Sequence, residues 1–228
     1  MKFLSLLREP SRPVRYLMVL VAGVAMGLSW QPYNLWPLLL VGIPLFTLAV
    51  RTAPRLRQAF GLGYVFGLAM LAVTINWIHV LGVAVMAALI VFEALFFGAL
   101  AVGIALVHRL RAWPFAVACL WVLCEFGYSR IPFGGFGWTR VGYAAVDTPL
   151  SGFFPMIGVV GVSFLVALLG QLVAWLVLNA PRIRTSARLA LPAAVVILAM
   201  LAGGLGLQQW QQEPLAGTQG SVVVPWPL

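Results

Sequence analysis

The sequence predicts an all-α polytopic membrane protein with about seven transmembrane helices and one long outer loop rich in glycine and aromatic residues. Three observations support this fold class. Hydrophobic residues make up 63% of the 228 residues and charged residues only 8%, whereas a soluble domain carries about 25% charged residues. Long apolar runs alternate with short polar segments. Positive charge collects in every second gap between those runs, as it does in cytoplasmic loops.

The basic residues predict the orientation of the chain. Twelve of the 14 fall into four clusters, each of which follows an even number of apolar runs, counting zero for the first. Short cytoplasmic loops retain Lys and Arg, so the N-terminus is predicted in the cytoplasm and the C-terminus on the outer face. The net charge of +9 is spread over these clusters, which argues against nucleic acid as a partner. The clusters are Lys2, Arg8, Arg12 and Arg15; Arg51, Arg55 and Arg57; Arg109 and Arg111; and Arg182, Arg184 and Arg188.

Seven apolar runs give the predicted membrane helices. A bilayer core requires roughly 20 apolar residues per helix, so the second and fifth runs are short. Residues 1–15 would form a basic cytoplasmic segment, 16–208 the membrane domain with its outer loop at about 128–152, and 209–228 a tail on the outer face. The predicted helices are about 16–30, 35–50, 59–79, 82–107, 113–127, 153–179 and 189–208.

Small residues and cysteines in these runs are predicted to pack helices together. GxxxG occurs at Gly23–Gly27 and at Gly63–Gly67, and this spacing allows two helices to approach closely. Cys119 and Cys124 lie five residues apart in the fifth run, so their side chains point in different directions. They are therefore interpreted as packing residues and not as a disulfide or metal ligands. No metal and no cofactor are predicted.

Three polar residues are predicted within the third and fourth helices, where polar groups are costly. Asn76 and His79 lie one turn apart near the outer end of the third, and Glu93 lies near the middle of the fourth. They either bond a neighbouring helix or form part of an ion or proton pathway. A small transporter or channel is therefore an alternative function, although no internal repeat supports it. A water-filled path to Glu93 would distinguish it.

The stretch after Glu125 is the most informative local segment. Loops of about 25 residues are usually functional or disordered, and this one is too rich in aromatic residues and too poor in charge to favour disorder. Gly134, Gly135 and Gly137 permit tight turns. The loop should lie in the membrane interface or fold back over the helices. Candidate residues for a lipid or substrate entrance are Glu125, Arg130, Phe136, Trp138, Arg140, Tyr143 and Asp147.

Two of these candidates, Arg130 and Arg140, are the basic residues that lie outside the four clusters. Arginine binds phosphate in a bidentate manner, and phospholipid phosphates lie at the predicted depth of this loop. The alternative is that both side chains reach toward the interface or pair with Glu125 and Asp147.

The run PFGGFGWTRVGYAAVDTPLSGFFPMIGVVGVSFLVAL resembles the membrane domain of the bacterial apolipoprotein N-acyltransferases. WQPYNLWPLLL after the first helix and INWIHV at the end of the third agree with the same family, and the resemblance covers residues 16–208. Two positions depart from the family pattern. Gly137 replaces the usual Pro before Trp138, and Tyr128 replaces an Arg for which Arg130 is a candidate substitute.

The resemblance implies an enzyme of the bacterial inner membrane. Such an enzyme transfers an acyl chain from a phospholipid to the α-amino group of a diacylglyceryl-cysteine lipoprotein, using a Glu-Lys-Cys triad in an outer nitrilase-like domain. Here the only lysine is Lys2, and both cysteines lie in the fifth predicted helix. No triad can be assembled from these residues, so no catalytic residue is predicted in this chain.

A truncated or frameshifted gene is the expected explanation, with residues 209–228 as the candidate start of the nitrilase-like domain. The chain alone is expected to be inactive, and a separately encoded catalytic domain is a candidate partner beside phospholipid and lipoprotein. A non-catalytic membrane scaffold for a partner enzyme is the remaining alternative.

Overall fold

The computed structural model describes residues 10–131 and 134–212. These residues form seven α-helices and no strand, with short 3₁₀ segments in several of the connections. The all-α fold class is therefore confirmed for this part of the chain, whereas most of the predicted N-terminal segment and tail lies outside the described residues. The helices are α1 Arg12–Gly27, α2 Leu39–Val50, α3 Leu56–Thr74, α4 Val83–Val107, α5 Trp113–Tyr128, α6 Phe154–Thr185 and α7 Leu191–Gln212.

Four apolar segments are long enough to cross a membrane, and they are built on α3, α4, α6 and α7. Two further apolar helices are shorter, Trp36–Val50 and Trp113–Tyr128, as the short second and fifth runs predicted. A polytopic membrane fold is thus confirmed, and the number of seven crossings stays a prediction.

The third predicted helix extends too far at its C-terminal end. Helix α3 stops at Thr74, and Asn76–Leu81 forms a 3₁₀ segment that ends at Gly82, whose φ is 120°. Asn76 and His79 are therefore exposed residues beyond the helix, with His79 Nδ1 2.6 Å from the Asn76 carbonyl oxygen. The predicted helix to residue 79 is too long, because the apolar run continues past the residue at which the backbone leaves the α-helical conformation, whereas the position of Asn76 and His79 in the membrane stays a prediction.

Both GxxxG motifs lie at close helix contacts, as predicted. A Cβ on Gly23 would lie 2.6 Å from the Phe66 carbonyl oxygen, and one on Gly27 would lie 2.8 Å from a second carbonyl oxygen of α3. On α3, a Cβ on Gly63 or Gly67 would overlap the backbone of α4. Glycine therefore lets α3 pack directly against both α1 and α4.

A cluster of aromatic side chains forms the centre of the bundle. Phe46 stacks on Phe66 with ring centroids 4.0 Å apart, and Trp121 meets both rings edge-on at 6.1 and 6.3 Å. Phe97 lies 5.6 Å from Phe66 and 6.0 Å from Tyr128. All five side chains are buried. Each aromatic pair contributes about 0.5–1.5 kcal/mol to stability beyond the effect of its buried area. This cluster therefore stabilises the packing of α2, α3, α4 and α5.

Helix α7 is the most peripheral of the long helices. Only 17% of its most apolar stretch is buried, against 39–44% for α3, α4 and α6. It rests mainly on the 3₁₀ segment Pro149–Phe153. The Gln208 side chain donates to the Thr148 carbonyl oxygen at 2.9 Å and to the Ser151 hydroxyl, and Gln211 donates to the Gly152 carbonyl oxygen at 3.0 Å.

The described members of the predicted basic clusters gather at one end of the bundle, which we call the basic end. Arg15 in α1 donates to the Ala49 carbonyl oxygen at 2.7 Å and to the Thr52 hydroxyl at 2.9 Å, which ties the start of α1 to the end of α2. Arg111 and Arg188 line one cavity between the starts of α5 and α7. The long loop lies at the opposite end, the loop end. Which side of the membrane each end faces stays a prediction.

Candidate functional site

The long loop between α5 and α6 is built from three 3₁₀ segments. These are Gly137–Thr139, Val141–Ala145 and Pro149–Phe153. The chain turns back after α5, so that the Phe136 amide donates to the Tyr128 carbonyl oxygen at 2.8 Å. Gly135 makes this return possible. Its φ is 75°, and a Cβ there would overlap the backbone of Ser129.

Glu125 anchors the middle of the loop to α5. Its side chain is 3% exposed, and Oε1 accepts a hydrogen bond from the Val141 amide at 2.8 Å. The next amide, that of Gly142, donates to the Ser163 hydroxyl of α6 at 3.0 Å. A Cβ on Gly142 would lie 2.6 Å from the Val159 carbonyl oxygen. The loop backbone is therefore held between α5 and α6 by one side chain from each.

Arg140 lies immediately before these anchored residues. Its Nη2 donates to the Ser129 hydroxyl at 2.7 Å, and its charge attracts the Glu125 carboxylate. Glu125, Arg130 and Arg140 line one cavity of about 290 Å³. The structure thus brings together three of the residues that the sequence singled out.

Arg130 and Asp147 have partners other than each other. The Arg130 guanidinium carbon lies 3.6 Å from the centroid of the Phe126 ring, in a cation–π contact. Asp147 Oδ2 accepts a hydrogen bond from Asn34 Nδ2 at 2.6 Å. Arg130 is exposed whereas Arg140 is half-buried, so the two arginines occupy different environments.

A larger cavity of about 670 Å³, which we call the loop cleft, opens beside Arg140. Trp77 and Trp138 form part of its wall in an edge-to-face pair, with centroids 6.3 Å apart, and both are exposed. Of the other predicted loop aromatics, Tyr143 lines the cleft and is exposed, whereas Phe136 is half-buried against the core. The described residues that line the cleft include Trp30, Thr74, Trp77, Ser129, Trp138, Arg140 and Tyr143.

Two side chains of the loop cleft carry buried N–H donors that have no hydrogen-bond acceptor in the described part of the chain. These atoms are Trp30 Nε1 and Arg140 Nε. Trp30 is 6% exposed. A buried donor without an acceptor costs about 1–3 kcal/mol. The cleft therefore suits a molecule that brings acceptor oxygens.

The three predicted intramembrane residues lie in different surroundings. Glu93 is fully buried in α4, about 15 Å along the axis from the first residue of that helix. Neither of its carboxylate oxygens has a hydrogen-bond partner among residues 10–131 and 134–212. Asn76 and His79 are exposed residues that precede α4. Within the described ranges, no three His, Cys, Asp or Glu side chains lie close enough together to hold a metal ion.

Three residues of the site carry no clear signal in the sequence. Trp30 is apparent only as a tryptophan near the end of a predicted helix, and Ser129 and Ser163 are ordinary serines in apolar surroundings. The roles of the two serines depend on contacts with residues 11 and 21 positions away, Arg140 for Ser129 and Gly142 for Ser163.

Comparisons with known proteins identify the family. The family model described as the apolipoprotein N-acyltransferase N-terminal domain matches residues 22–172. The apolipoprotein N-acyltransferase of Azotobacter vinelandii is 33% identical over 207 residues, which cover 84% of this chain and 39% of the relative. That of Nitrosomonas europaea is 34% identical over 176 residues, 71% of this chain and 35% of the relative.

A third relative, the apolipoprotein N-acyltransferase of Pseudomonas paraeruginosa, is 30% identical over 223 residues, which cover 91% of this chain and 42% of that protein. The chain therefore spans about two fifths of the length of the curated relatives that it matches. The matched stretch runs from within α1 into α6 and includes Glu125 and the loop with Arg130 and Arg140. With a family model that covers well over half of its residues, this chain belongs to the apolipoprotein N-acyltransferase family.

Proposed function

We propose that this chain is the membrane domain of an apolipoprotein N-acyltransferase and that its loop cleft receives phospholipid. The reaction would transfer an acyl chain from the phospholipid to the α-amino group of a diacylglyceryl-cysteine lipoprotein. The observation that supports this role for the cleft is the pair of buried donors, Trp30 Nε1 and Arg140 Nε, in a cavity that also has an aromatic wall.

The composition of the cleft suits the polar part of a lipid. A phosphodiester carries negative charge and acceptor oxygens, which a guanidinium and an indole N–H can bind. Trp77 and Trp138 are exposed at the cleft, and tryptophan favours the depth at which lipid headgroups meet acyl chains. The Glu125 and Ser163 bonds would hold the loop backbone beside Arg140 in position for this contact.

The two alternative functions have less support. A transporter or channel built on Glu93, Asn76 and His79 requires a water path to Glu93, yet this residue is fully buried. A non-catalytic scaffold would be supported by co-purification of a partner enzyme with a chain that does not bind phospholipid in the loop cleft.

A chimeric enzyme tests the proposed function. Residues 22–172 of this chain would replace the corresponding residues of the Azotobacter vinelandii relative. We expect the chimera to transfer labelled acyl chains from phospholipid to a lipoprotein acceptor in vesicles. A chimera that inserts and folds normally but transfers no label would contradict the proposal.

Substitutions of the two arginines in this chimera should have unequal effects. Arg140→Gln removes the charged donor of the cleft, so we expect transfer at low phospholipid concentration to fall about tenfold, which corresponds to about 1.4 kcal/mol. Arg130→Gln removes an exposed cation–π contact and should lower transfer about threefold or less. Equal losses for the two variants would show that charge near the surface, and not the cleft, determines the rate.

The basic end is proposed to face the cytoplasm and the loop end the outer side of the bacterial inner membrane. The alternating arginine clusters and the position of the loop support this orientation. A reporter enzyme that is active only outside the inner membrane should be active when fused after Leu228 and silent when fused after Arg57. The reverse pattern would contradict the predicted orientation.

A further inference from the structure

A second cavity with a distinct chemistry lies at the basic end, opposite the loop cleft. It has a volume of about 500 Å³ and lies between residues 51–56, which run from the end of α2 to the first residue of α3, and residues 105–109 at and just after the end of α4. Three arginines and one histidine line it: Arg51, Arg55, Arg109 and His108. Positive charges from two separate segments of the chain therefore share one cavity.

The walls of this cavity are held in place by hydrogen bonds. Arg15 of α1 binds the Ala49 carbonyl oxygen and the Thr52 hydroxyl, which fixes the start of the turn. His108 Nδ1 lies 2.8 Å from the Ala105 carbonyl oxygen. A carbonyl oxygen only accepts, so Nδ1 carries the hydrogen, and Nε2 of the neutral ring is an acceptor that does not bind phosphate oxygens.

The chain itself cannot neutralise this end of the bundle. The four basic clusters of the sequence hold twelve basic residues, ten of which lie in the described part of the chain, and the segments that carry them contain one acidic residue, Glu9, which lies outside it. The other acidic residues are Glu93 in the middle of α4, Glu125 and Asp147 at the loop end, and Glu213 beyond α7. The described residues of this chain therefore leave most of these positive charges without an acidic partner at the basic end.

The position of the cavity favours a lipid as the source of negative charge. Leu56 and Leu106 line the same cavity and are 48% and 60% exposed, so apolar surface lies directly beside the cations. The preference of arginine for cytoplasmic loops explains why arginines occur at this end. It does not require Arg55 and Arg109, 54 positions apart in the chain, to line one cavity beside two exposed leucines.

We propose that this cavity binds the phosphate of an anionic lipid headgroup in the membrane leaflet at the basic end. Basic pockets between transmembrane helices bind such headgroups, and the planar guanidinium matches the geometry of phosphate oxygens. Arg55 and Arg109 would bind the phosphate from two sides, with Leu56 and Leu106 against the acyl chains. This site is separate from the loop cleft and does not depend on acyl transfer.

Binding of phosphatidylglycerol to the full chain in neutral detergent tests the proposal, with dissociation constants measured by native mass spectrometry. The double variant Arg55→Gln with Arg109→Gln should bind phosphatidylglycerol at least tenfold more weakly. The control variant Arg57→Gln with Arg184→Gln removes the same charge from the same end, at exposed residues that do not line the cavity, and should bind within about threefold of the unmodified chain. Equal weakening in both variants would overturn the proposal in favour of diffuse surface charge.

Two further probes identify the ligand. Phosphatidylcholine, whose headgroup carries no net charge, should bind at least tenfold more weakly than phosphatidylglycerol. Inorganic phosphate should not displace the lipid at millimolar concentration; displacement would mark a site for free phosphate. The variant Arg55→Lys with Arg109→Lys keeps the charge and serves as a check on folding. It should bind more tightly than the glutamine variant and more weakly than the unmodified chain. Binding by the lysine variant equal to that of the glutamine variant would contradict a charge-based site.

Discussion

Replacing Gly63 with leucine should disrupt the contact between α3 and α4 and destabilise the protein by about 3 kcal/mol or more. A Cβ at this position would lie 2.5 Å from the Ala101 Cβ and would overlap the Phe97 carbonyl group. The obstacle is backbone on a helix that is itself packed on both sides, so it cannot move aside cheaply. Extra atoms in a well-packed core cost about 1–3 kcal/mol, and more where the backbone must shift.

The same helix offers a matched control for this substitution. Gly61 is two residues away, and a Cβ there would meet only the Tyr16 hydroxyl oxygen, at 3.5 Å. Gly61→Leu should therefore change the free energy of unfolding by less than about 1 kcal/mol. Unfolding in mixed micelles with increasing denaturing detergent gives both values. Similar destabilisation by the two variants would mean that α3 does not pack on α4 through Gly63.

The second large effect is expected at Glu125. Glu125→Ala removes the acceptor of the buried Val141 amide and leaves that donor unpaired. A buried donor left without its acceptor costs about 1–3 kcal/mol, so the loop around Val141 should open between about fivefold and 100-fold more often. Hydrogen–deuterium exchange at the Val141 amide measures this opening directly, because exchange requires that the bond break.

Glu125→Gln separates the hydrogen bond from the charge. The amide oxygen of glutamine can still accept from Val141, so this amide should exchange within about threefold of the unmodified rate. Arg140 would nevertheless lose the negative charge that attracts it. An exchange rate at Val141 that stays unchanged in Glu125→Ala would show that the loop is held by other contacts and that Glu125 is not its anchor.

The helical part of this fold could be predicted because it depends on local patterns. Apolar runs and GxxxG spacing lie along a continuous stretch of chain, and the contacts at Gly23 and Gly63 agree with that prediction. The end of α3 could not be predicted in this way. The run through Val80 remains apolar although the backbone leaves the α-helix after Thr74, and hydropathy reports apolarity and not backbone conformation.

The sequence singles out candidate residues of the loop but not their arrangement. Charge and predicted topology do not distinguish Arg130 from Arg140. In the structure, Arg130 lies over the Phe126 ring, whereas Arg140 lies between Ser129 and the loop cleft. The difference arises from the return of the loop over the end of α5, which depends on backbone contacts of Gly135 and on Ser163 of the following helix. Contacts between residues far apart in the chain produce no repeating pattern in the sequence from which they could be predicted.

The way α7 rests on the loop has a consequence for the order of assembly. The last helix binds through Gln208 and Gln211 to backbone and hydroxyl groups of residues 148–152, and these groups take up their positions only when the preceding loop has folded. We therefore expect α1 to α6 to associate before α7, because α7 lacks these hydrogen-bond partners until the loop has folded. If the loop fails to fold, α7 would not pack against it, and cleavage by a protease near Gln208 would be the earliest sign of this failure.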